Sequence, residues 1–236
     1  MKLLIGGSTG FVGTELVRQA LKNPKITSIV GLGRRETVLP PSTPGAEKLK
    51  SVVCNNFDEY PESVKNELHD VDACIWTIAV TPMNMKSLPW SETVKITRDW
   101  TSTSLETLGK IPRKQSQPLR YIYMSGHFAP RERTEAPKVL SDNNLMEAGY
   151  LRVRLHHELL PDLVPRPTNI FLRIAKSGFI LTPGKVAPPV PGLPSIQLED
   201  ISAALLDQAV EGLEKDTLFS EDMTRIGQNA LGKTAQ

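Results

Sequence analysis

In the first half of the chain, two patterns of apolar residues follow each other in turn. Nearly continuous apolar runs at 3–5, 26–32, 51–54, 71–80 and 119–124 predict buried strands. Stretches at 14–21, 61–68 and 91–108 carry apolar residues at the spacing of an α-helix. Strands that alternate with helices in this way are typical of an α/β protein with a parallel sheet.

The second half of the chain continues this alternation. Residues 149–160 predict a helix, and residues 169–181 predict a sixth strand and its exit from the sheet. Five prolines lie in 182–195, which predicts a loop that covers a pocket. Residues 196–210 predict a further helix, and the tail from Thr217 onward predicts a short one.

A glycine-rich turn lies between the first predicted strand and the first predicted helix, with the spacing G-x-x-G-x-x-G. In a dinucleotide site the first glycine permits the tight turn, the second leaves room for the pyrophosphate, and the third lets the helix pack against the strand. The N–H groups of the helix N-terminus then face the phosphates. The alternative is a purely structural turn. The predicted cofactor-binding residues are Gly7, Ser8, Thr9, Gly10, Phe11, Val12 and Gly13.

This motif and the strand–helix alternation together predict a Rossmann-like fold, in which helices cover both faces of a doubly wound parallel sheet. We expect a single domain over 1–236. Within it, we expect 182–236 to form a small C-terminal extension of loops and helices on the substrate side.

Two arginines follow the second predicted strand. In a dinucleotide fold this position lies beside the adenosine ribose, where an acidic residue binds the free 2′-hydroxyl of NAD and arginine suits the 2′-phosphate of NADP. Arg34 and Arg35 occupy this position, and the first acidic residue after the strand is Glu36. The pair therefore predicts NADP(H), with a solvated basic turn as the alternative.

Two other strand ends carry candidate cofactor contacts. Asp58 follows the third strand, where adenine would lie, and either contacts the base or caps the next helix. Thr77, Ile78 and Ala79 lie at the carboxyl end of the long central run and are predicted to border the cofactor.

Candidate catalytic residues lie further along the chain. Ser125 and His127 follow the fifth strand, and ligands of open parallel sheets bind outside the carboxyl ends of strands. His127 could supply a proton, with an incidental loop histidine as the alternative. Tyr150 and Arg154 are four residues apart in a predicted helix, so they share one helical face.

Composition mainly limits the classes of partner and the cellular compartment that we expect. A net charge of +2 without a long basic run gives no support to nucleic-acid or membrane-surface binding. Cys54 and Cys74 lie in apolar runs, so we expect core thiols, a reducing compartment and no metal site. The chain has no apolar stretch of membrane-spanning length, and its first strand begins at the N-terminus. We therefore expect a cytoplasmic protein without a signal peptide.

These features together resemble the short-chain dehydrogenase/reductase superfamily over nearly the whole chain, and most closely its atypical Tat-interacting oxidoreductase-like subgroup. The resemblance implies a Rossmann fold, an NAD(P) cofactor and a small-molecule substrate. The segments that carry it are the glycine turn, Gly33-Arg34-Arg35, Ile96-Thr97-Arg98-Asp99-Trp100 and Gln197-Leu198-Glu199-Asp200-Ile201.

The superfamily uses a Ser, a Tyr and a Lys four residues after the Tyr. The resemblance implies that Tyr150 protonates the substrate carbonyl oxygen as hydride arrives, while Ser125 stabilises that oxygen. Arg154 stands where the family has Lys. Its charge could still hold the nicotinamide ribose, but an arginine is effectively never deprotonated and cannot join a lysine-linked proton relay.

Three functions fit these residues. The first is an NADPH-dependent oxidoreductase that reduces a carbonyl or enone of a small molecule. The second is an isomerase, dehydratase or cyclase that uses the same pocket without net redox chemistry. The third is a non-catalytic regulator that binds NADP(H) and a partner protein. The sequence leaves the oligomeric state open, with a homodimer as one alternative.

Overall fold

The computed structural model describes residues 1–81, 84, 87–114, 117–127, 169–187 and 190–233. None of the helices in these ranges is both long and apolar enough to cross a bilayer. The strands are β1 (Lys2–Gly6), β2 (Ser28–Gly33), β3 (Leu49–Val53), β4 (Ala73–Trp76), β5 (Leu119–Gly126), β6 (Ile170–Ser177), β7 (Phe179–Leu181), β8 (Ser195–Gln197) and β9 (Thr217–Phe219). The α-helices are α1 (Phe11–Lys22), α2 (Glu62–Glu67), α3 (Trp90–Val94), α4 (Trp100–Lys110), α5 (Leu198–Glu211) and α6 (Ser220–Ala230).

Seven strands of the described chain form one parallel sheet in the order β3-β2-β1-β4-β5-β6-β9. β1 lies between β2 and β4, with Ile5 opposite both Gly31 and Ile75. The direction of winding reverses between β1 and β4, and the crevice at the carboxyl ends of two such strands is the usual ligand site of an open sheet. The predicted Rossmann-like α/β fold is confirmed.

Helices cover both faces of this sheet, as the doubly wound prediction requires. One buried core lies under α2 and α4 and contains Trp76 and Tyr121. The other lies under α1, α5 and α6 and contains Ile5 and Ile122. Neighbouring positions such as Tyr121 and Ile122 belong to different cores because successive side chains of a strand point to opposite faces.

The central strand is shorter than its apolar run. β4 covers four residues of the predicted strand at 71–80. Val71 and Val80 are nevertheless buried, so the run marks burial beyond the strand itself. Thr77 follows β4 and donates both its backbone N–H and its hydroxyl to the Gly6 carbonyl, at 2.9 and 2.8 Å. These bonds hold the residues after β4 against the end of β1.

The long helix predicted at 91–108 is divided by one turn of π-helix, Lys95–Asp99, which joins α3 to α4. In this turn the Trp100 N–H donates to the Lys95 carbonyl, five residues earlier. Two threonines form hydrogen bonds at this turn. Thr97 accepts the Val80 N–H on its hydroxyl at 3.1 Å, and its carbonyl accepts the Thr101 hydroxyl at 2.9 Å.

The strand predicted at 169–181 is in fact two strands. β6 ends before Gly178, and β7 then pairs with β8 in a separate two-stranded parallel sheet. A side chain at Gly178 would overlap the Pro194 backbone, so only glycine permits this approach. The prediction of a helix from 196 was wrong at its start, because Ile196 pairs with Ile180 in β8 and the helix begins at Leu198.

The C-terminal tail was also predicted incompletely. The expected short helix is α6, but the residues from Thr217 first form β9, which extends the main sheet beside β6. Only three residues are in this strand, and one of them, Leu218, is buried. Three residues are too few to show an alternating pattern in a sequence.

Candidate active site

The glycine turn is fixed between β1 and the end of β2. Gly7 has φ +86°, a backbone conformation that favours glycine, and its N–H donates to the Leu32 carbonyl at 2.8 Å. The Gly10 N–H donates to the Gly7 carbonyl at 2.9 Å, which closes the turn before α1. These bonds hold the start of α1 at the carboxyl edge of the sheet.

The start of α1 has the features of an anion-binding helix terminus. The helix has twelve residues, and its first turn carries no acidic side chain. A Cβ atom on Gly13 would overlap the Gly7 carbonyl oxygen, so glycine is needed where the helix passes over the turn. Together, the N–H groups and the dipole of this helix favour a phosphate placed over the turn.

The other predicted residues of the turn divide into buried and accessible ones. Ser8 is fully buried, and its hydroxyl lies 2.7 Å from the Thr37 hydroxyl in the loop after β2. Val12 belongs to the core under α1. Thr9 is half-buried, and Phe11 is exposed. Ser8 and Val12 therefore support the turn, while Thr9 and Phe11 can reach a ligand.

Thr77, Ile78 and Ala79 are half-buried residues that follow β4 beside the glycine turn. A Cβ atom on Gly7 would lie 2.5 Å from the Thr77 hydroxyl and 3.2 Å from the Ile78 side chain. The two segments thus form the walls of the crevice where the winding of the sheet reverses. This is the position that the sequence predicts for a dinucleotide.

Arg34 and Arg35 are both exposed and follow Gly33, whose Cα faces the hydroxyls of Ser8 and Thr9. A Cβ atom on Gly33 would lie 3.6 Å from each of these two hydroxyl oxygens. The arginines therefore stand next to the glycine turn. The guanidinium carbon of Arg34 lies 5.8 Å from the centre of the Trp100 ring.

Asp58 is exposed and joins two side chains of the helical segment that contains the π turn. Its Oδ1 accepts the Trp100 indole N–H at 2.9 Å, and its Oδ2 lies 2.6 Å from the Lys95 ammonium. The hydrogen bond from Lys95 lowers the pKa of the Asp58 carboxyl below its usual value. Asp58 does not cap α2, whose N-cap is Pro61.

Trp100 and Lys95 are site residues that the sequence reasoning missed. Residues five positions apart in a regular α-helix point about 140° away from each other. The π turn brings them closer in direction, and both reach Asp58. Ile96-Thr97-Arg98-Asp99-Trp100 is one of the segments that carry the family resemblance, but no pattern in it predicts a π turn.

Ser125 and His127 lie at the carboxyl end of β5. Ser125 is fully buried, and its carbonyl accepts the Ser177 hydroxyl at 3.3 Å. His127 follows the strand, and its N–H donates to the Ser177 carbonyl at 2.8 Å. The His127 ring packs edge-on against Phe219, with ring centres 6.2 Å apart. The end of β6 thus positions both candidate residues.

A buried lysine adjoins these residues and was not predicted from the sequence. Lys176 is opposite Ser125 in the β5–β6 pair, so the two side chains leave the sheet on the same face. Lys176 is 5% exposed, and its ammonium lies 5.5 Å from the centre of the Phe219 ring. Nothing in the sequence of β6 marks it, because the strand contains a second basic residue, Arg173.

Tyr150 and Arg154 lie outside the described residues, as does the predicted helix at 149–160 that carries them. Their shared face and their catalytic roles stay predictions from the sequence. Within the described ranges, no three His, Cys, Asp or Glu side chains are grouped so that they could hold a metal ion.

Comparison with known proteins gives matches in structure but not in sequence. No protein-family model and no curated protein sequence matches the chain. The oxidoreductase ylbE from Lactococcus lactis is similar in structure, with a TM-score of 0.61 and 17% identity, over 100% of this chain and 99% of that one.

Two proteins in complex with NAD share the same architecture. A double mutant of the dTDP-glucose 4,6-dehydratase DesIV from Streptomyces venezuelae has a TM-score of 0.61 and 15% identity, over 98% of this chain and 81% of its own. MoeE5, bound to UDP-glucuronic acid and NAD, has a TM-score of 0.60 and 13% identity, over 98% and 83%. These similarities confirm the Rossmann-like α/β fold that the sequence predicts.

Proposed function

We propose that this chain is an NADPH-dependent oxidoreductase that reduces a carbonyl or enone group of a small molecule. The observation that carries the proposal is the arrangement of three segments around one crevice. The glycine turn, the residues after β4 and the arginines after β2 meet at the carboxyl edge of the sheet. These segments suit the pyrophosphate, the central part and the 2′-phosphate of NADPH in turn.

The described residues fit such a cofactor. The first turn of α1 offers backbone N–H groups without a competing carboxylate, and the exposed Arg34 offers a fork of donors for a phosphate. ylbE, similar in structure, is described as an oxidoreductase, and DesIV and MoeE5 bind NAD, which supports a dinucleotide. When bound, the cofactor supplies a hydride.

The chain's own residues would then handle the substrate oxygen. Ser125 lies next to the carboxyl end of β5, at the edge where ligands of parallel sheets bind, and its hydroxyl is the proposed donor to a carbonyl oxygen that gains negative charge. Tyr150 is the proposed proton donor. Arg154 is proposed to hold the nicotinamide ribose by its charge. His127 is a second proton donor beside the same strand end.

Cofactor titration and turnover test this proposal. We expect purified protein to bind NADPH more tightly than NADH when cofactor fluorescence is titrated. We also expect it to consume NADPH absorbance with at least one member of a panel of aldehydes, ketones and enones. Ser125→Ala should bind NADPH like the wild type but turn over at least about 100-fold more slowly, because an oxyanion donor is lost. Binding without turnover across the panel would contradict the reductase.

Replacement of Arg34 tests the cofactor preference directly. Arg34→Ala should lower the affinity for NADPH about tenfold and leave the affinity for NADH unchanged, because a charged hydrogen bond to the 2′-phosphate is lost. The measurement is fluorescence titration of both cofactors. Arg18→Ala, an exposed arginine on α1 that pairs with Glu15, is the matched control. Equal loss for both cofactors would show that Arg34 does not contact the 2′-phosphate.

A non-redox reaction in the same pocket is the second candidate. DesIV, which is similar in structure, is described as a dehydratase, and Arg154 stands where the superfamily that the sequence resembles has a lysine; both observations support this candidate. This candidate predicts that the protein forms product without net consumption of NADPH. It further predicts that Arg154→Lys gains a reductase activity that the wild type lacks.

A further inference from the structure

Trp100 is a fixed aromatic surface beside the proposed cofactor crevice. It is 4% exposed and lies against Phe57, with ring centres 5.2 Å apart. Its indole N–H, which needs a partner when buried, donates to Asp58 Oδ1 at 2.9 Å. Because Phe57 packs against the ring and Asp58 accepts the indole N–H, the Trp100 ring is held in a single orientation.

The Arg34 side chain lies over this aromatic surface. Its guanidinium carbon is 5.8 Å from the centre of the Trp100 ring, within the range of a cation–π contact, although the residue as a whole is exposed. A free arginine on a loop samples many rotamers and loses that freedom when it binds a ligand. A ring that already restricts Arg34 reduces this loss.

We propose that Trp100 is a positioning residue that holds Arg34 ready for the 2′-phosphate and so contributes to discrimination between NADPH and NADH. The inference rests on the proposed cofactor preference. In this role Trp100 does not contact the ligand itself. It contributes to the specificity that Arg34 provides.

The Lys95–Asp58 pair makes this arrangement compatible with a phosphate. Asp58 anchors the indole, but an uncompensated carboxylate close to Arg34 would repel an incoming phosphate. Lys95, 2.6 Å from the other carboxylate oxygen, compensates that charge. Trp100 is thereby anchored by a carboxylate whose charge is balanced by Lys95.

A double-mutant cycle separates positioning from general damage. The proteins are the wild type, Trp100→Leu, Arg34→Ala and the double variant, each titrated with NADPH and with NADH. We expect Trp100→Leu to weaken NADPH binding about two- to fivefold, the size of an exposed cation–π contact, and to leave NADH binding unchanged. In the Arg34→Ala background the same replacement should have no further effect on NADPH binding.

Two further variants keep the test decisive. Trp100→Phe retains an aromatic face and should lie between the wild type and Trp100→Leu, which provides a folded variant if the leucine protein does not fold. Trp90→Phe, on α3, is the matched tryptophan control and should change neither affinity. Thermal unfolding checks that each protein is folded.

Different experimental results would overturn the positioning role of Trp100 and the proposed function. Equal weakening of NADPH and NADH by Trp100→Leu, or a full effect that persists without Arg34, would overturn the positioning role. So would a wild-type preference for NADPH that both Trp100 variants leave intact. A wild type that binds NADH as tightly as NADPH would instead overturn the proposed cofactor preference itself.

Discussion

Gly13→Ala is expected to destabilise the protein and to abolish dinucleotide binding at the same time. The new Cβ atom would overlap the Gly7 carbonyl oxygen and come within 2.9 Å of the Ser8 Cα. These are backbone atoms, so the clash is relieved only if α1 moves away from the turn. We expect a loss of about 2–3 kcal/mol in the free energy of unfolding, measured by urea denaturation.

The loss of binding follows from the same displacement. If α1 moves, its N–H groups no longer meet the phosphate position, and NADPH affinity should fall roughly a hundredfold or more in fluorescence titration. Gly184→Ala is the control. Gly184 has φ +77° with no atom within 4 Å, so alanine there adds only backbone strain of about 1 kcal/mol and should leave binding intact. Wild-type stability in Gly13→Ala would contradict the close approach.

Gly10→Ala should separate binding from folding. Gly10 has φ −82°, which alanine adopts readily, and a Cβ atom there would meet only the Gly7 carbonyl oxygen, at 3.2 Å. The free energy of unfolding should therefore change by less than about 1 kcal/mol. The added methyl group occupies the opening at the start of α1, where we place the pyrophosphate.

We expect this methyl group to lower NADPH and NADH affinity alike, by roughly ten- to a hundredfold, because both cofactors carry the pyrophosphate. Titration of each cofactor, with thermal unfolding of the same samples, measures the two effects separately. Unchanged affinity for both cofactors would show that the pyrophosphate does not pass over Gly10. An effect on NADPH alone would point to the 2′-phosphate instead.

The turn and the sheet could be predicted from the sequence because local rules govern them. A strand, three spaced glycines and an amphipathic helix specify one backbone path, and Gly7 and Gly13 meet constraints that other residues cannot satisfy. The order of the sheet then places Thr77 and Ser125 at one edge. No tertiary information was needed for that placement.

The features that could not be predicted depend on contacts distant in the chain. In the π turn, the Thr97 hydroxyl accepts the Val80 N–H from another segment of the chain. Lys95 and Trp100 on this turn both reach Asp58, which follows a different strand. Neither has a signature in composition or spacing. The short strands β8 and β9 exist because β7 and β6 provide partners for them, which local propensity does not reveal.

The small sheet of β7 and β8 has a consequence for how this architecture can diversify. The two strands are parallel, so the segment after Leu181 starts at the carboxyl end of β7 and returns at Ser195, which pairs with Phe179 two positions further back. The paired strands keep the two ends of this segment within a few residues of each other, so residues can be gained, lost or exchanged between them at little cost to the rest of the chain. Segments of other lengths grafted between Leu181 and Ser195 should therefore leave the seven-stranded sheet unaltered.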